Sequence, residues 1–173
     1  MKQLMVIVIA SLFSYVSLAS ELKVSDAAPE FKVPTQEGKE FDLTSRKGQW
    51  TVLYFYPKAG TPGCTTQACA FRDKIQKIRD QGAEVFGLSA DSVKDQAKFH
   101  QEHHLNFTLL ADEDAKVVKL YGSKMPLMSM SKRWTFILDP ELKIRAIDKD
   151  VDPAMDADKV AAQIAKLKGE TSK

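Results

Sequence analysis

Cysteine is scarce in this 173-residue chain, with only two, at positions 64 and 69. Two thiols cannot build a disulfide-stapled scaffold or a four-thiolate zinc site. Excess charge is missing as well. The 25 Lys and Arg against 23 Asp and Glu leave a net charge of +2, which argues against a dedicated nucleic-acid or polyanion binder. There is no Gly-rich dinucleotide fingerprint and no haem-attachment motif, so no cofactor is implied. Internal repeats and low-complexity blocks are absent too. What remains, at 44% hydrophobic and 28% charged, is one globular domain with a sizeable core.

Charge is also absent between Lys2 and Glu21. Lys2 forms a minimal positive start, Leu4 to Phe13 a short apolar run, and Ser17-Leu18-Ala19 offers small residues for cleavage before Ser20. That is the pattern of a secretory signal peptide over residues 1–19, followed by a single domain over 20–173. An uncleaved anchor is the rival, but Ser11, Ser14 and Ser17 dilute a stretch already at the lower limit of a span. No Cys follows the apolar run, which excludes a lipid anchor on Cys. The mature chain is expected in an oxidising exported compartment, the bacterial periplasm, without stable membrane association and as a monomer rather than a dimer.

Strand and helix signals alternate along the mature chain. Ser25 to Glu30 reads as a lead-in loop. Phe31–Val33 and Glu40–Leu43 read as short strands around a turn at Gln36-Glu37-Gly38. Thr51–Tyr56 is a non-alternating apolar run, as expected of a buried central strand. Pro57 stops it, and a helical pattern runs from about Cys64 to Arg79, with Cys69, Phe71, Ile75 and Ile78 placed on one face. Further strands fall at Glu84–Ser89, Phe107–Leu110, Trp134–Leu138 and Lys143–Ile147, the last two forming a hairpin around Asp139-Pro140. Helices are expected from Asp91 or Ser92 to about His104, from Asp112 through Tyr121-Gly122, and from about Pro153 to Leu167. Such alternation predicts an α/β domain, a central mixed sheet flanked by helices.

The chemistry concentrates in Tyr56-Pro57-Lys58-Ala59-Gly60-Thr61-Pro62-Gly63-Cys64-Thr65-Thr66-Gln67-Ala68-Cys69. This segment leaves a buried strand and enters a helix, which puts Cys64 in the first turn. Unpaired N–H groups and the positive end of the helix dipole favour an anion there, and a thiolate is one. Thr61 can turn its hydroxyl into the same pocket as a donor. Pro57 and Pro62 fix the loop, and its glycines permit close approach of the backbone. In an ideal helix, Cys64 and Cys69 stand about 140° apart around the axis, with Cα atoms about 8.7 Å apart. A disulfide needs less than about 7 Å. The two cannot bond while the helix is intact; if they bond, its first turns unwind.

Pro57, Thr61 and Cys64 in this spacing resemble the Pro-x-x-x-Thr-x-x-Cys motif of peroxiredoxins. The wider run, through Phe71-Arg72-Asp73, is similar to the bacterioferritin-comigratory or Q-type branch, whose mark is Cys-x4-Cys. Arg133-Trp134-Thr135-Phe136-Ile137-Leu138-Asp139 resembles the family's Arg-x-Thr-Phe-x-x-Asp strand. The likeness spans about Leu22 to Leu167; the first motif is highly specific and the second alone is weak. Two positions depart from it. Gln67 stands where the branch commonly has Glu, and Leu142 where the hairpin turn usually has Gly. The resemblance implies a thioredoxin-like fold and reduction of hydroperoxides by Cys64 without metal or other cofactor. It further implies that Arg133 stabilises the thiolate and the peroxide, that Cys69 resolves the sulfenic acid as a Cys64–Cys69 disulfide, and that a thioredoxin-like donor restores both thiols.

Blander and rival readings stand beside these. A general thiol–disulfide oxidoreductase would carry Cys-x-x-Cys, which is absent. A non-catalytic exported module with an inert disulfide conflicts with the helical spacing of the two cysteines. His100, His103 and His104 at i, i+3 and i+4 read as a solvated helix face rather than a metal site. Met125, Met128 and Met130 read as a packing loop or an apolar substrate entrance rather than a copper site. Asp148, Asp150 and Asp152 begin like a calcium loop, but Pro153 and Lys159 occupy its required Gly and Glu positions.

Overall fold

A computed structural model describes residues 21–171 of the chain. The expected signal segment, residues 1–19, lies outside the described residues. Two short strands, β1 (Lys32–Pro34) and β2 (Glu40–Asp42), pair antiparallel. A 3-10 turn at Leu43–Arg46 leads to β3 (Trp50–Phe55). Then follow α1 (Pro62–Arg79), β4 (Ala83–Ser89), α2 (Val93–Glu102), β5 (Thr108–Ala111), α3 (Lys116–Leu120), β6 (Trp134–Leu138), β7 (Ile144–Asp148) and α4 (Asp156–Thr171). The main sheet has the order β5-β4-β3-β6-β7. β3 pairs parallel with β4 and β4 with β5, whereas β6 runs antiparallel to β3 and β7 to β6. The mixed sheet and its closing hairpin are as the sequence predicts.

β3 is buried along its whole length because the sheet has two covered faces. Its residues 50, 52 and 54 face a core shared with Phe71, Ile75 and Ile78 of α1, Phe99 of α2 and Val160 and Ile164 of α4. Leu53 and Phe55 face the opposite core, with Phe31 just before β1, Phe41 of β2, Val117 and Val118 of α3, and Phe136. The Tyr54 ring stacks on Phe71 with centroids 4.7 Å apart. Gly87 on β4 makes room for it, since a Cβ there would fall 2.5 Å from the Tyr54 hydroxyl. Burying a ring such as Phe71 completely, as here, supports the fold strongly; Phe71→Ala typically costs about 3–5 kcal/mol.

Three sequence expectations need correction. The buried face of α1 is Cys64, Gln67, Ala68, Phe71, Ile75 and Ile78. Cys69 is half-buried beside that stripe, not within it, because 100° per residue carries position 69 off the axis through 64, 68, 71 and 75. The helix after β5 is shorter than expected. Ala115, not Asp112, occupies the N-cap position, with φ 55°, but the Asp112 carboxylate still caps the first turn from outside the helix, accepting from the Val118 N–H at 2.8 Å. The three histidines do not share a helix, since α2 ends at Glu102, His103 is its C-cap and His104 has φ 49°. Among the described residues, no group of three or more His, Cys, Asp or Glu is arranged to hold a metal ion, and no helix is long and apolar enough to cross a membrane.

Candidate active site

β3 ends at Phe55, and the chain turns through Pro57 and Gly60, the latter with φ +74°, into α1. The turn is anchored from below. The Ala59 N–H donates to the Asp91 carboxylate at 2.8 Å, and the Ser89 hydroxyl donates to the same oxygen at 2.7 Å. Buried Gln96 donates to the Ser89 hydroxyl and the Leu110 carbonyl, and accepts from the Tyr56 hydroxyl. The buried side chains on this path, Tyr56, Ser89 and Gln96, are all hydrogen-bonded, so the loop is tied to the ends of β4 and β5.

Thr61 is the N-cap of α1 and Pro62 opens its first turn, where a missing N–H costs nothing. The Thr61 hydroxyl donates to the Lys58 carbonyl at 2.9 Å. Its proton is therefore engaged within the loop instead of turned toward Cys64, the position the sequence suggested. Cys64 is the third residue of the helix and 1% exposed. Its neighbours in the core include Tyr54 and Tyr56, whose hydroxyls burial pushes up, keeping them neutral. The sulfur thus sits on an apolar floor at a helix N-terminus, whose dipole favours an anion from one side only.

Arg133 supplies a second side. It immediately precedes β6, and Trp134 of β6 pairs with Phe55, the last residue of β3. Because β6 is antiparallel to β3, the start of one strand meets the end of the other, and Arg133 reaches the Cys64 loop across 69 residues of sequence. Its Nη2 donates to the Cys64 Sγ at 3.5 Å. Gly63 allows this approach, since a Cβ built there would lie 3.2 Å from Nη2. Of the residues singled out in the sequence, Pro57, Thr61, Cys64 and Arg133 are thus gathered around the first turn of α1. Cys69 stands one and a half turns further along an unbroken helix, and both cysteines are free.

Three residues of the site were given no site role in the sequence reading: Gln67, Thr135 and Asp156. The other guanidinium nitrogen, Nη1, donates to Gln67 Oε1 at 2.6 Å. Gln67 is fully buried, and its Nε2 donates to Asp156 Oδ2 at 2.6 Å. The Thr135 hydroxyl donates to the same oxygen at 2.9 Å. Burial pushes the Asp156 carboxyl up to about 6. One signal was available in the spacing: Gln67 lies at i+3 from Cys64 and i−4 from Phe71, which puts this polar residue on the buried face of α1.

Comparison with known proteins reads the same way as the geometry. The model of the AhpC/TSA family matches residues 24–147. The chain belongs to the AhpC/TSA family. It is 40% identical over 135 residues to peroxiredoxin Bcp of Escherichia coli K12, covering 75% of this chain and 86% of that one. Peroxidoxin BcpB of Mycobacterium tuberculosis superposes with a TM-score of 0.80 at 32% identity, over 85% of this chain and 99% of the other. The bacterioferritin comigratory protein of Xanthomonas campestris superposes with a TM-score of 0.77 at 28% identity, over 82% and 99% of the two chains. That protein was solved as trapped intermediate and ligand complexes bearing on its alkyl peroxide reduction activity. The fold is accordingly the thioredoxin-like fold of peroxiredoxins, and the chain is a thiol-dependent peroxidase acting on hydroperoxides. In this peroxiredoxin the Ser123–Lys132 segment, closed by Met125 N–H to the Met130 carbonyl at 2.8 Å, presents exposed Leu127 and Met128 at its tip.

Proposed function

We propose that Cys64 is the peroxidatic nucleophile of this peroxidase, with Arg133 its electrostatic partner and Cys69 its resolving thiol. The observation that carries this is the Arg133 guanidinium 3.5 Å from the buried Cys64 sulfur in the first turn of α1. The Cys64 thiolate attacks the terminal oxygen of a hydroperoxide. An S–O bond forms as the O–O bond breaks, the sulfur is oxidised to a sulfenic acid, and the leaving oxygen takes a proton and departs as water or alcohol. Arg133 and the free N–H groups of the first turn face the charge that develops, while Pro57 and Thr61 hold the loop in shape. The first turns of α1 then unwind, and the Cys69 thiolate displaces hydroxide from the Cys64 sulfenic acid, which leaves as water. A thioredoxin-like dithiol returns the disulfide to two thiols by exchange and is itself oxidised.

The same reading extends to location. The uncharged segment before Glu21 supports export to the periplasm with removal of residues 1–19, and a chain free of the membrane thereafter. N-terminal sequencing of protein from its host should begin near Ser20. The test of the chemistry is peroxide consumption with a thioredoxin-type reductant. Cys64→Ser should lose the activity; retention of more than about a tenth of the wild-type rate would remove Cys64 from the role.

A further inference from the structure

Arg133 is aimed from behind. Its guanidinium carries only donors, so only the oxygen of the Gln67 amide can face it. That contact holds the amide at one end only. Its other end is held by Asp156, whose carboxylate accepts from Nε2 at 2.6 Å. Asp156 is itself fixed three ways: it is the first residue of α4, it accepts from the Thr135 hydroxyl at 2.9 Å, and it is 1% exposed. Both donors converge on Oδ2, while Oδ1 is buried without a partner. No Lys or Arg forms an ion pair with this carboxyl among the described residues. A buried acid so poorly compensated costs the fold stability, which packing alone does not explain.

We propose that Asp156 is a positioning residue for peroxide reduction: it fixes the orientation of the Gln67 amide and through it aims the Arg133 guanidinium at the Cys64 sulfur. The proposal rests on the reading of Cys64 as nucleophile and Arg133 as its partner. With the carboxyl gone, the Gln67 amide keeps its oxygen toward Arg133 but loses the anchor at Nε2, so amide and guanidinium swing together and Nη2 moves away from the Cys64 sulfur. A shift of about 1 Å at a reacting centre can cost about a hundredfold in rate.

The test is a double-mutant cycle on the reduced protein, following the first turnover with hydrogen peroxide, with circular dichroism to confirm folding. Asp156→Ala should slow that turnover by about tenfold or more. Asp156→Asn, which keeps an acceptor oxygen for Gln67 and Thr135, should recover most of the loss. In an Arg133→Ala background, adding Asp156→Ala should cost less than about twofold, because no guanidinium remains to be aimed. A purely structural role predicts the same loss in both backgrounds, and that result overturns the proposal. So does an Asp156→Ala protein that is folded and reacts at the wild-type rate. Should Asp156→Ala not fold, Gln67→Met, of similar size and without an amide, enters the same cycle with the same expectations. Cys64→Ser separates the two readings. If it still reduces peroxide, both fall; if it is inactive while Asp156→Ala is unaffected, the positioning role alone falls.

Discussion

Replacing Asp156 with Asn should reveal a pH-dependent stability term of a size that follows from burial. The carboxyl is 1% exposed. Desolvation, reinforced by the charge of Asp148, pushes it up to about 6, against the hydrogen bonds from Gln67 and Thr135 and the charge of Lys159, which pull it down. In the unfolded chain an Asp titrates near ~3.9. The folded state therefore holds this proton more tightly than the unfolded state does. The resulting stabilisation is fully present below about pH 4 and is lost as pH rises through about 6. About two decades of proton affinity correspond to ~3 kcal/mol.

The assay is urea unfolding of the reduced wild type and Asp156→Asn at intervals from about pH 4 to about pH 7.5. All other titrating groups are common to both proteins and cancel in the difference. Asn remains neutral throughout, so the free-energy difference should move in its favour by ~3 kcal/mol from the acid end to the neutral end. The absolute offset also contains the cost of leaving an amide nitrogen where Oδ1 had no partner, about 1–3 kcal/mol, but that cost does not vary with pH. A difference that stays constant within about 0.5 kcal/mol over the range would refute the reasoning, because the carboxyl would then be no more desolvated folded than unfolded.

Three further outcomes are expected. Cys69→Ser should complete one turnover at the wild-type rate, then stall as a sulfenic acid that over-oxidises, as mass spectrometry would show; steady multi-turnover activity with a thioredoxin-type donor would contradict it. Gly63→Ala puts a methyl 3.2 Å from Arg133 Nη2, so the first turnover should slow roughly 3–10-fold while urea stability holds or rises slightly; an unchanged rate would mean the close approach is unimportant. Leu142 is 3% exposed yet sits at φ 58°, so Leu142→Gly should relieve about 1 kcal/mol of strain but lose a larger buried side-chain contribution, for a net destabilisation of about 2 kcal/mol by urea unfolding.

The parts of the molecule readable from sequence are those encoded locally. The Pro57–Cys64 loop is one, because strand, turn and helix start within a single short segment and Pro, Gly and Thr each force a specific backbone feature. The central position of β3 is another, since a run without polar alternation needs cover on both faces. Arg133 was reachable only through resemblance: nothing in its neighbourhood says that an antiparallel pairing will deliver it to Cys64. The contact between Gln67 and Asp156 spans 89 residues, and neither residue's neighbours along the chain signal the other. Cys69 was misplaced for a different reason. It was grouped with Phe71, Ile75 and Ile78 as one face, but it lies two residues, about 200°, from Phe71, and the stripe runs through Ala68 instead. Leu142 is the opposite case, where a core contact on one side of the turn overrides the backbone's preference for glycine.

Gln67 occupies the stretch of α1 between the two cysteines, and on the proposed Cys64–Cys69 cycle this imposes an interlock. That turn of helix can be fastened to Arg133 and Asp156, or it can open and let Cys69 travel to Cys64, but it cannot do both. In that proposed cycle, forming the disulfide dismantles the arrangement that would receive the peroxide. The oxidised molecule is blind to further peroxide at two levels, with its sulfur capped and its guanidinium no longer directed. Reduction must then restore a folded turn as well as two thiols before the next turnover begins. The donor's rate of exchange and the rate at which Gln67 finds its two partners again act in series.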